Sequence, residues 1–528
     1  MKVFPCLITL TSIAAAASID SILSIAIGEL QGRPRDGAGI LSFLGIPFAA
    51  PPVGDLRWRS PQPVPKWNKT LDATQYGASC YSAAAEYPPP TPAREDCLSL
   101  NVWTPALNSN EKLPVMIWIY GGGFQFGSSA MPNYDGTALS EMGVVVVTFN
   151  YRLGALGFLA LHDLDKEGNF SGNYGLQDQI AAIKWVKENI AVFGGDPENL
   201  TIWGESAGAH SVGLLMASPL TQGLFQKAIM ESGAYWDSEH GSLETFEQAR
   251  AKGSAFAAKL GARSISDLRE LSAEEIDNAG PWNFSTDPGL TAFAPNIDKY
   301  VVPTEPAETF QSAKTQQVPL LAGFNKGEAV PFLSRALPHS TPEIYVQSAS
   351  ILFGSKTSRF LELYPGDTQS LANESAEALI GDLVISAQTF DAIDKQALAS
   401  AQPVFAYYYT YTSPYSPVAA HSAEVNFVFG NLESASGSSR SPSPADVALS
   451  RQMMTYWTNF AKTGDPNDAS NTDRTHWPRY TGEGADFLEL GTNISAIISP
   501  SKERYQFLAS LRRHGRFPVT WRDGCKDN

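Results

Sequence analysis

Ser206 lies at the centre of a Gly-x-Ser-x-Gly motif, in the stretch GESAG that begins at Gly204. A serine hydroxyl is a weak nucleophile that becomes reactive when a general base lies beside it. In a nucleophile elbow the motif follows a strand and opens a helix, so a sharp turn presents the serine above the sheet. A strand-like run (residues 199–203) precedes Ser206, and a helix-compatible run (residues 207–218) follows it. This context favours a nucleophile over an ordinary serine in a glycine-rich turn.

A glycine-rich stretch, IYGGGFQFG, follows the strand-like run at residues 115–120. Attack by a serine places negative charge on the substrate oxygen, and backbone N–H groups aimed at that oxygen stabilise it. Gly122 and Gly123, together with the N–H of Ala207, would supply three such donors. A flexible loop is the alternative. A phosphate cradle is poorly supported, because no Gly-Lys-Ser/Thr follows the glycines.

A serine nucleophile also needs a base and an acid that orients the base. Where the serine lies on a nucleophile elbow, the acid and then the base follow it along the chain. Five histidines lie beyond His210: His240, His339, His421, His476 and His514. His421 is best placed, in a loop after the strand-like run 404–411, and Glu328 follows the strand-like run 319–324. Position alone leaves open whether either residue is a surface group.

Alternating strand and helix patterns must hold these residues. Residues 115–120 and 144–151 are continuous apolar runs, typical of strands buried on both faces of a sheet. Residues 175–193 keep apolar side chains at helical spacing, and Gly194 and Gly195 end that pattern. Further strands are predicted at 228–231, 319–324, 404–411 and 487–490, a helical segment at 243–277 packing over the sheet edge, and an exposed loop at 433–446. The order predicts an α/β protein with a mostly parallel, doubly wound sheet.

The N-terminus combines one lysine, a short apolar run and small residues at Ala15 and Ala17. This pattern is typical of a secretory signal peptide. We expect residues 1–18 to be removed, residues 19–528 to form a single catalytic domain, and the protein to be secreted into the extracellular space. No later segment is long and apolar enough for a membrane anchor.

The cysteines and sequons agree with export. Loss of the signal peptide leaves Cys80, Cys97 and Cys525, and the first two are close enough in the chain to pair in an oxidising compartment. Cys525 would then be a free thiol or form an intermolecular disulfide, and the oligomeric state stays open. Glycosylation candidates are Asn68, Asn169, Asn283, Asn373 and Asn493. A sixth sequon, Asn199, stands at the entrance of a predicted buried strand and is not expected to be modified.

The composition excludes some classes of partner. With 43% hydrophobic and 17% charged residues the chain is typical of a globular protein. The net charge of −16 argues against nucleic acid and anionic membrane, because phosphate binding needs a basic surface. We find no cluster of His and Cys with metal-ligand spacing, and we expect no metal or organic cofactor.

Several longer motifs resemble those of the type-B carboxylesterases, the cholinesterase-like group of the α/β-hydrolase superfamily. The resemblance runs from about residue 28 to about residue 491. It is carried by the stretches FLGIPFAAPPVGDLRW, EDCLSLNVWTP, WIYGGGF, NYRLGALGFL, GNYGLQDQ, NIAVFGGDPENLTIWGESAGAHSVG, AEVNFVFG and YWTNFAKTGDPN. It implies an α/β-hydrolase fold, in which a large, mostly parallel twisted sheet is flanked by helices and helical insertions lie over an active-site gorge.

The resemblance also implies a role for individual residues. Ser206 matches the family's nucleophile, Glu328 the acid in FNKGE and His421 the base in HSAEVNFVFG. The implied oxyanion donors are Gly122, Gly123 and Ala207. Cys80 and Cys97 match a disulfide near the gorge mouth, Arg57 and Glu95 match a buried structural ion pair, and Glu205 and Ser232 match residues that support the triad. The expected function is that of a serine esterase that cleaves carboxylic esters of small molecules through an acyl-enzyme.

Departures from the family pattern bear on the substrate. Cholinesterases carry a tryptophan in the disulfide loop, but the segment YSAAAEYPPPTPARED has none. Their second cation-binding aromatic residue falls here on Pro331, so choline esters are not expected, because a quaternary ammonium group needs aromatic faces. Gly327 and Ala329, which flank Glu328, also differ from the pattern.

Two alternatives to a general esterase stay open. The first is an interfacial lipase of the same family, although the disulfide loop is short compared with the lid of family lipases. The second is a non-catalytic adhesion or binding protein built on the same scaffold. Such relatives typically lack a triad member, whereas Ser206, Glu328 and His421 are all present here.

Overall fold

A mixed ten-stranded sheet forms the centre of the described part of the chain. The computed structural model describes residues 19–82, 87–168, 170–234, 243–280, 292–330, 336–434, 440–467 and 474–511. The strands in these ranges are β1 (Ile22–Ile25), β2 (Gly28–Gln31), β3 (Leu41–Pro47), β4 (Leu71–Asp72), β5 (Ser99–Thr104), β6 (Leu113–Ile119), β7 (Val145–Phe149), β8 (Gly195–Glu205), β9 (Lys227–Glu231), β10 (Glu244–Thr245), β11 (Asn296–Ile297), β12 (Leu320–Asn325), β13 (Val404–Tyr409), β14 (Phe487–Leu490) and β15 (Ile494–Ile497).

The large sheet has the strand order β15-β14-β13-β12-β9-β8-β6-β7-β5-β3. All neighbouring pairs from β14 to β7 in this order are parallel. The remaining pairs, at the two edges, are antiparallel. The carboxyl ends of β8, β9, β12 and β13 therefore all lie at the same end of the parallel strands, which is where open α/β sheets place their chemistry. Two small sheets, β1-β2-β4 and β10-β11, lie outside it.

Helices connect the strands. They are α1 (Thr137–Ser140), α2 (Gly154–Phe158), α3 (His162–Gly168), α4 (Tyr174–Asn189), α5 (Ala207–Ala217), α6 (Phe246–Lys259), α7 (Ile265–Glu270), α8 (Ala273–Ala279), α9 (Pro306–Gln311), α10 (Pro342–Phe353), α11 (Thr357–Leu363), α12 (Gln369–Gly381), α13 (Ala387–Ala399), α14 (Val425–Phe429), α15 (Pro444–Thr463) and α16 (Lys502–Ser510). A π-helical turn, Asp382–Ser386, joins α12 to α13. In the described ranges no helix is both long and apolar enough to span a bilayer.

Continuous apolar sequence explains the central strands. Every residue of β7 is buried, and so is every residue of β12. Strands covered on both faces must be apolar throughout, so the near-continuous hydrophobic runs identify them in the sequence. The helix predicted at residues 175–193 is α4 followed by a 3₁₀ turn, Ile190–Phe193. Gly194 ends it in the left-handed conformation, with φ of 80°.

The structure confirms the mostly parallel sheet flanked by helices and refines two segments. The helical segment predicted at 243–277 is three helices, α6, α7 and α8; α6 packs on β10 and β11, and α8 packs on α2. The loop predicted at 433–446 is wrong at its end, because α15 begins at Pro444. Ser443 and Asp446 form a reciprocal capping box that starts this helix within the Ser- and Pro-rich stretch. Residues 435–439 of that stretch lie outside the described residues.

Candidate active site

Ser206 occupies a sharp turn between β8 and α5. Its backbone has φ of 55° and ψ of −123°, a conformation that costs energy for a residue with a side chain. The turn is tight because β6 passes directly beneath it: a Cβ atom on Gly208 would lie 1.9 Å from the carbonyl oxygen of Ile119. Ser206 is partly exposed, whereas its neighbours Glu205 and Ala207 are buried. The turn therefore presents the serine at the end of the sheet and hides the residues on either side.

The glycine-rich stretch after β6 lies against this turn. A Cβ atom on Gly121 would lie 3.0 Å from the Cβ of Ser206. Gly122 and Gly123 have positive φ angles, 98° and 62°, that glycine adopts readily. Within the described part of the chain the N–H groups of these two glycines have no acceptor. Ala207 is the first residue of α5, so its N–H lacks an acceptor within the helix. The turn and the adjacent glycine-rich stretch thus supply N–H groups for an oxyanion hole near Ser206: that of Ala207 from the turn, and those of Gly122 and Gly123 from the stretch.

Glu328 and His421 come together from the loops after β12 and β13. Nδ1 of His421 donates a hydrogen bond to Oε2 of Glu328 over 2.5 Å. The other carboxylate oxygen of Glu328 accepts from the backbone N–H of Asn325 at 2.6 Å, which fixes the carboxylate. A parallel bridge between Gly327 and Ala420 holds the two loops together. The carboxylate therefore selects the tautomer with the proton on Nδ1, and Nε2 is left as the basic nitrogen.

Nε2 of His421 faces the nucleophile turn. It lies 3.2 Å from Oε1 of Glu205, the residue bonded to Ser206. That carboxylate oxygen also accepts a hydrogen bond from Oγ of Ser422 at 2.5 Å. The structure therefore brings Glu328 and His421 into contact and places the imidazole against Glu205, the residue that precedes Ser206 at the end of β8.

The carboxylates change the ionisation of the imidazole. Burial by itself would lower the pKa of His421, but the charges of Glu205 and Glu328 outweigh it and raise that pKa to about 9. Burial raises the pKa of Glu205, and the charge of His421 opposes that rise. A protonated imidazole of His421 is therefore stabilised by two carboxylates, that of Glu328 at Nδ1 and that of Glu205 at Nε2.

Two further buried glutamates adjoin this centre, and the sequence did not single them out. Glu424 accepts hydrogen bonds from Nδ2 of Asn325 and, at 3.4 Å, from Oγ of Ser232. Glu231 accepts from the indole N–H of Trp457 at 2.7 Å. Burial raises the pKa of Glu424 to about 8 and raises that of Glu231 well above its ordinary value. The available signal for Glu231 was a charged residue at the end of an otherwise apolar parallel strand.

Ser232, expected to support the triad, joins β9 to β12. Its backbone has φ of 52°, its N–H donates to the carbonyl of Gly323 at 2.8 Å, and its hydroxyl points to Glu424. It makes no described contact with Ser206 itself. The carbonyl of Glu231, the residue before it, accepts from the N–H of Ser206 at 2.9 Å. The end of β9 therefore holds the nucleophile turn through its backbone.

Both structural pairs expected from the resemblance are formed. Cys80 and Cys97 form a disulfide. Arg57 and Glu95 form a two-point ion pair, with nitrogen–oxygen distances of 2.5 and 2.9 Å. Arg57 also donates to the carbonyl of Leu271 at 2.7 Å. The arginine therefore ties the disulfide loop to the end of α7.

The sequons differ in accessibility. Asn68 and Asn493 are exposed in turns, and Asn373 is exposed on α12. Asn169 and Asn283 lie outside the described residues, as do Cys525, Pro331 and residues 1–18. Asn199 is half-buried, and its side-chain nitrogen donates to the carbonyl of Lys462 at 3.3 Å. A glycan attached to that nitrogen would replace this contact.

Comparison with known proteins gives a consistent result. The model of the carboxylesterase family matches residues 19–508. A fumonisin B1 esterase of Sphingopyxis macrogoltabida is 37% identical over 515 residues, 93% of this chain and 92% of the relative. A para-nitrobenzyl esterase of Bacillus subtilis (strain 168) is 35% identical over 92% of this chain and 98% of the relative. A cholinesterase of Mus musculus is 34% identical over 91% and 85%.

Solved structures agree with the sequence relatives. A structure named PNB esterase superposes with a TM-score of 0.79 at 34% identity, and covers 93% of this chain and all of its own. A thermophilic PNB esterase gives the same TM-score and identity. The fold is the α/β-hydrolase fold, as the motifs implied. The chain therefore belongs to the carboxylesterase family of ester hydrolases.

Proposed function

We propose that the protein hydrolyses carboxylic esters through an acyl-enzyme, with Ser206 as nucleophile, His421 as general base and Glu328 as the acid that orients the base. The observation that carries the proposal is the 2.5 Å bond between Glu328 and Nδ1 of His421, with Nε2 on the side of the nucleophile turn. A base held in one tautomer beside a strained, partly exposed serine is the arrangement that acyl transfer requires.

In the acylation half, Nε2 of His421 takes the proton of Ser206 as Oγ attacks the carbonyl carbon of the ester. The π electron pair of the carbonyl moves onto its oxygen, and the N–H groups of Gly122, Gly123 and Ala207 stabilise the resulting oxyanion. When the tetrahedral intermediate collapses, the bond to the alcohol oxygen breaks and Nε2 gives its proton to that oxygen. The alcohol leaves, and the acyl group remains on Oγ.

Deacylation repeats these steps with water in place of the serine. Nε2 of His421 takes a proton from water, and the resulting hydroxide attacks the acyl carbon over the same oxyanion donors. Collapse breaks the bond to Oγ and returns the proton from Nε2 to Ser206. The carboxylic acid leaves, and the enzyme is regenerated without any cofactor.

The base must be neutral in order to accept a proton. Because the pKa of His421 is about 9, activity should rise with pH up to that value. The same carboxylates stabilise the imidazolium that forms in each transition state, so the raised pKa also favours proton transfer. The proposed enzyme would therefore be less active at neutral pH, where most of the imidazole is protonated, but its base is stronger.

The substrate class is proposed from the relatives and from the departures in sequence. Two relatives are named as esterases of fumonisin B1 and of para-nitrobenzyl compounds, and both align over nine-tenths of the chain. Pro331 and the tryptophan-free disulfide loop disfavour choline esters. We therefore propose a general esterase for soluble carboxylic esters; an interfacial lipase is the second candidate.

Secretion is proposed from the leader-like residues 1–18 and two further features. The Cys80–Cys97 disulfide suits an oxidising compartment. Asn68 and Asn493 are exposed where a glycan could attach. We propose that residues 19–528 form the mature chain, with Cys525 available for an intermolecular disulfide. N-terminal sequencing of exported protein, glycosidase treatment and non-reducing gels test these points in turn.

The decisive experiment compares the wild type with Ser206→Ala on p-nitrophenyl esters from acetate to palmitate, after thermal unfolding shows that both fold alike. We expect turnover by the wild type and background rates for the variant. Preference for short, soluble esters supports the esterase; a rise in rate only above the solubility limit supports the lipase. A folded wild type that hydrolyses none of the esters and does not react with a fluorophosphonate would instead support a binding protein.

A further inference from the structure

We infer that His210 is a positioning residue for the oxyanion hole: its imidazole holds the peptide unit between Ser206 and Ala207. This inference rests on the proposed function, because it concerns how the proposed donor at Ala207 is aimed. His210 is a residue of the helix that follows the nucleophile, and none of the steps above uses it.

The carbonyl oxygen of Ser206 receives two hydrogen bonds from one residue. The backbone N–H of His210 donates to it at 2.9 Å, as expected one helical turn along α5. Nδ1 of the same histidine lies 2.7 Å from the same oxygen. Since a carbonyl oxygen can only accept, Nδ1 carries the proton and donates. The side chain therefore adds a second bond to an oxygen that the helix already binds.

The imidazole is held in this single state. His210 is 1% exposed, and burial lowers its pKa to about 3, against a smaller opposing effect of the bond to Ser206. The ring is thus neutral throughout the range in which an esterase operates. Its tautomer is set by the carbonyl, so the bond is present whether His421 is neutral or protonated.

The surroundings are shaped to admit this bond. Gly233, just after the end of β9, packs against both partners. A Cβ atom there would lie 2.7 Å from the carbonyl oxygen of Ser206 and 2.8 Å from Nδ1 of His210. Real Cβ atoms do not approach so closely, so a side chain at residue 233 would displace one of the two. The absence of a side chain at this position leaves the ring its place.

Planarity of the peptide connects this bond to the chemistry. The C=O of Ser206 and the N–H of Ala207 are the two ends of one rigid planar unit. Fixing the oxygen with two donors fixes the direction of the N–H at the other end. Hydrogen bonds to a carbonyl also polarise the unit and strengthen its N–H as a donor, by about 10–30% per bond in condensed phases. His210 therefore aims and strengthens the proposed oxyanion donor at Ala207.

A neighbouring serine supplies a matched control. Oγ of Ser211, also buried, donates to the carbonyl of Ala207 at 2.9 Å. That bond is of the same kind, from a side chain to a carbonyl in the first turn of α5. The peptide unit that it holds carries the N–H of Gly208, which is not a proposed oxyanion donor. A purely structural role predicts similar effects at both positions.

The test compares His210→Ala, His210→Asn, His210→Gln and Ser211→Ala with the wild type. Each is measured for kcat and KM on p-nitrophenyl butyrate and for the inhibition constant of a trifluoromethyl ketone, which forms the tetrahedral adduct. Complete loss of one oxyanion donor costs about 10²–10³ in rate, so loss of its aim should cost roughly 10-fold. We expect kcat and the affinity for the ketone to fall together by roughly that factor in His210→Ala, with KM changed by less than about twofold.

The conservative variants distinguish loss of the hydrogen bond to the Ser206 carbonyl from loss of side-chain volume. The amide nitrogen of asparagine falls near the position of Nδ1, so His210→Asn should keep rates within about threefold of the wild type, whereas His210→Gln, whose amide reaches beyond it, should resemble the alanine variant. Ser211→Ala should keep its affinity for the ketone. Because His210 does not titrate in the working range, the pH profile should keep its midpoint in every variant.

Several results would overturn the inference. They are an unchanged ketone affinity in His210→Ala, an equal loss in Ser211→Ala, or a shifted pH midpoint, which would make His210 a proton-transfer group. If the alanine variant does not fold, equal rates for the folded asparagine and glutamine variants contradict it. A wild type that is inert to esters and to a fluorophosphonate contradicts the proposed function, and the inference with it; an active wild type with an indifferent His210 contradicts the inference alone.

Discussion

Replacing Glu205 by glutamine should move the pH dependence of the esterase to lower pH. Oε1 of Glu205 lies 3.2 Å from Nε2 of His421, and its charge is the largest of those that raise the pKa of the imidazole to about 9. Glutamine keeps the shape of the side chain and removes the charge. The imidazolium then loses one of its two carboxylates, while the bond from Nδ1 to Glu328 stays in place.

The size of the shift follows from the distance. Two unit charges 3.2 Å apart interact by about 1 kcal/mol at the dielectric constant of water and by about 5 kcal/mol at an effective value of about 20. Since 1.36 kcal/mol corresponds to about one pKa unit, the pKa of His421 should fall by about one to four units. The base is active when neutral, so the rising limb of kcat/KM must move to lower pH by the same amount.

The assay is kcat/KM for p-nitrophenyl butyrate between about pH 5 and 10, corrected for spontaneous hydrolysis. This quantity reports the pKa values of the free enzyme. Ser422→Ala is the matched control, because it removes the 2.5 Å hydrogen bond to the same oxygen of Glu205 and keeps the charge. A limb in Glu205→Gln that stays within about 0.3 units of the wild type, or that moves to higher pH, would refute this electrostatic reasoning.

Three further predictions concern stability and the nucleophile turn. Burial and neighbouring carboxylates raise the pKa of Glu424 to about 8 from an ordinary 4.5, so the folded state holds this proton more tightly and the resulting stability is lost as pH rises through about 8. Urea titrations of Glu424→Gln should therefore show a smaller decline in unfolding free energy between about pH 4.5 and 8 than the wild type. An unchanged decline would contradict the raised pKa of Glu424. Gly208→Ala should abolish fluorophosphonate labelling, because its Cβ would lie 1.9 Å from a backbone oxygen of β6, while Gly37→Ala, which meets no atom within 4 Å, should label normally. Converting both Cys80 and Cys97 to serine should lower the unfolding free energy by roughly 3 kcal/mol, and reduction of the wild type should reproduce the loss.

Local sequence was sufficient for the nucleophile turn. A strand, a glycine-flanked serine and a helix follow one another without interruption, so the geometry at Ser206 is set by its immediate neighbours. The same holds for Gly122 and Gly123, whose positive φ angles follow from the run of three glycines at the end of β6. The central strands were also predictable, because burial on both faces leaves an unbroken apolar run.

Glu328 and His421 could not be found in this way. Each stands in a loop whose sequence resembles many others, and their 2.5 Å contact exists only because β12 and β13 are neighbours in the sheet. Position after a strand made both residues candidates, and the resemblance to a family then gave each its role. Long-range pairing of this kind leaves no mark in a local window.

The buried polar residues behind the triad were missed for a different physical reason. Glu231, Glu424 and His210 are fully or almost fully buried, where charged side chains are seldom found. Reading such residues as surface groups is correct for most positions in most proteins. The signal that remained was a glutamate closing the apolar strand β9 and a histidine on the buried face of α5. Each needs the packed structure before its hydrogen-bond partner is known.

The proposed triad is distributed over three loops that are far apart in the chain, and this would have a consequence during synthesis. A ribosome completes the turn at Ser206 long before it reaches Glu328, and it reaches His421 later still. Until β13 has paired with β12, the serine would have no base, and the emerging polypeptide would not attack esters or react with electrophiles in its surroundings. The nascent chain would thus be unreactive, and the onset of fluorophosphonate reactivity would report the moment at which the sheet is complete.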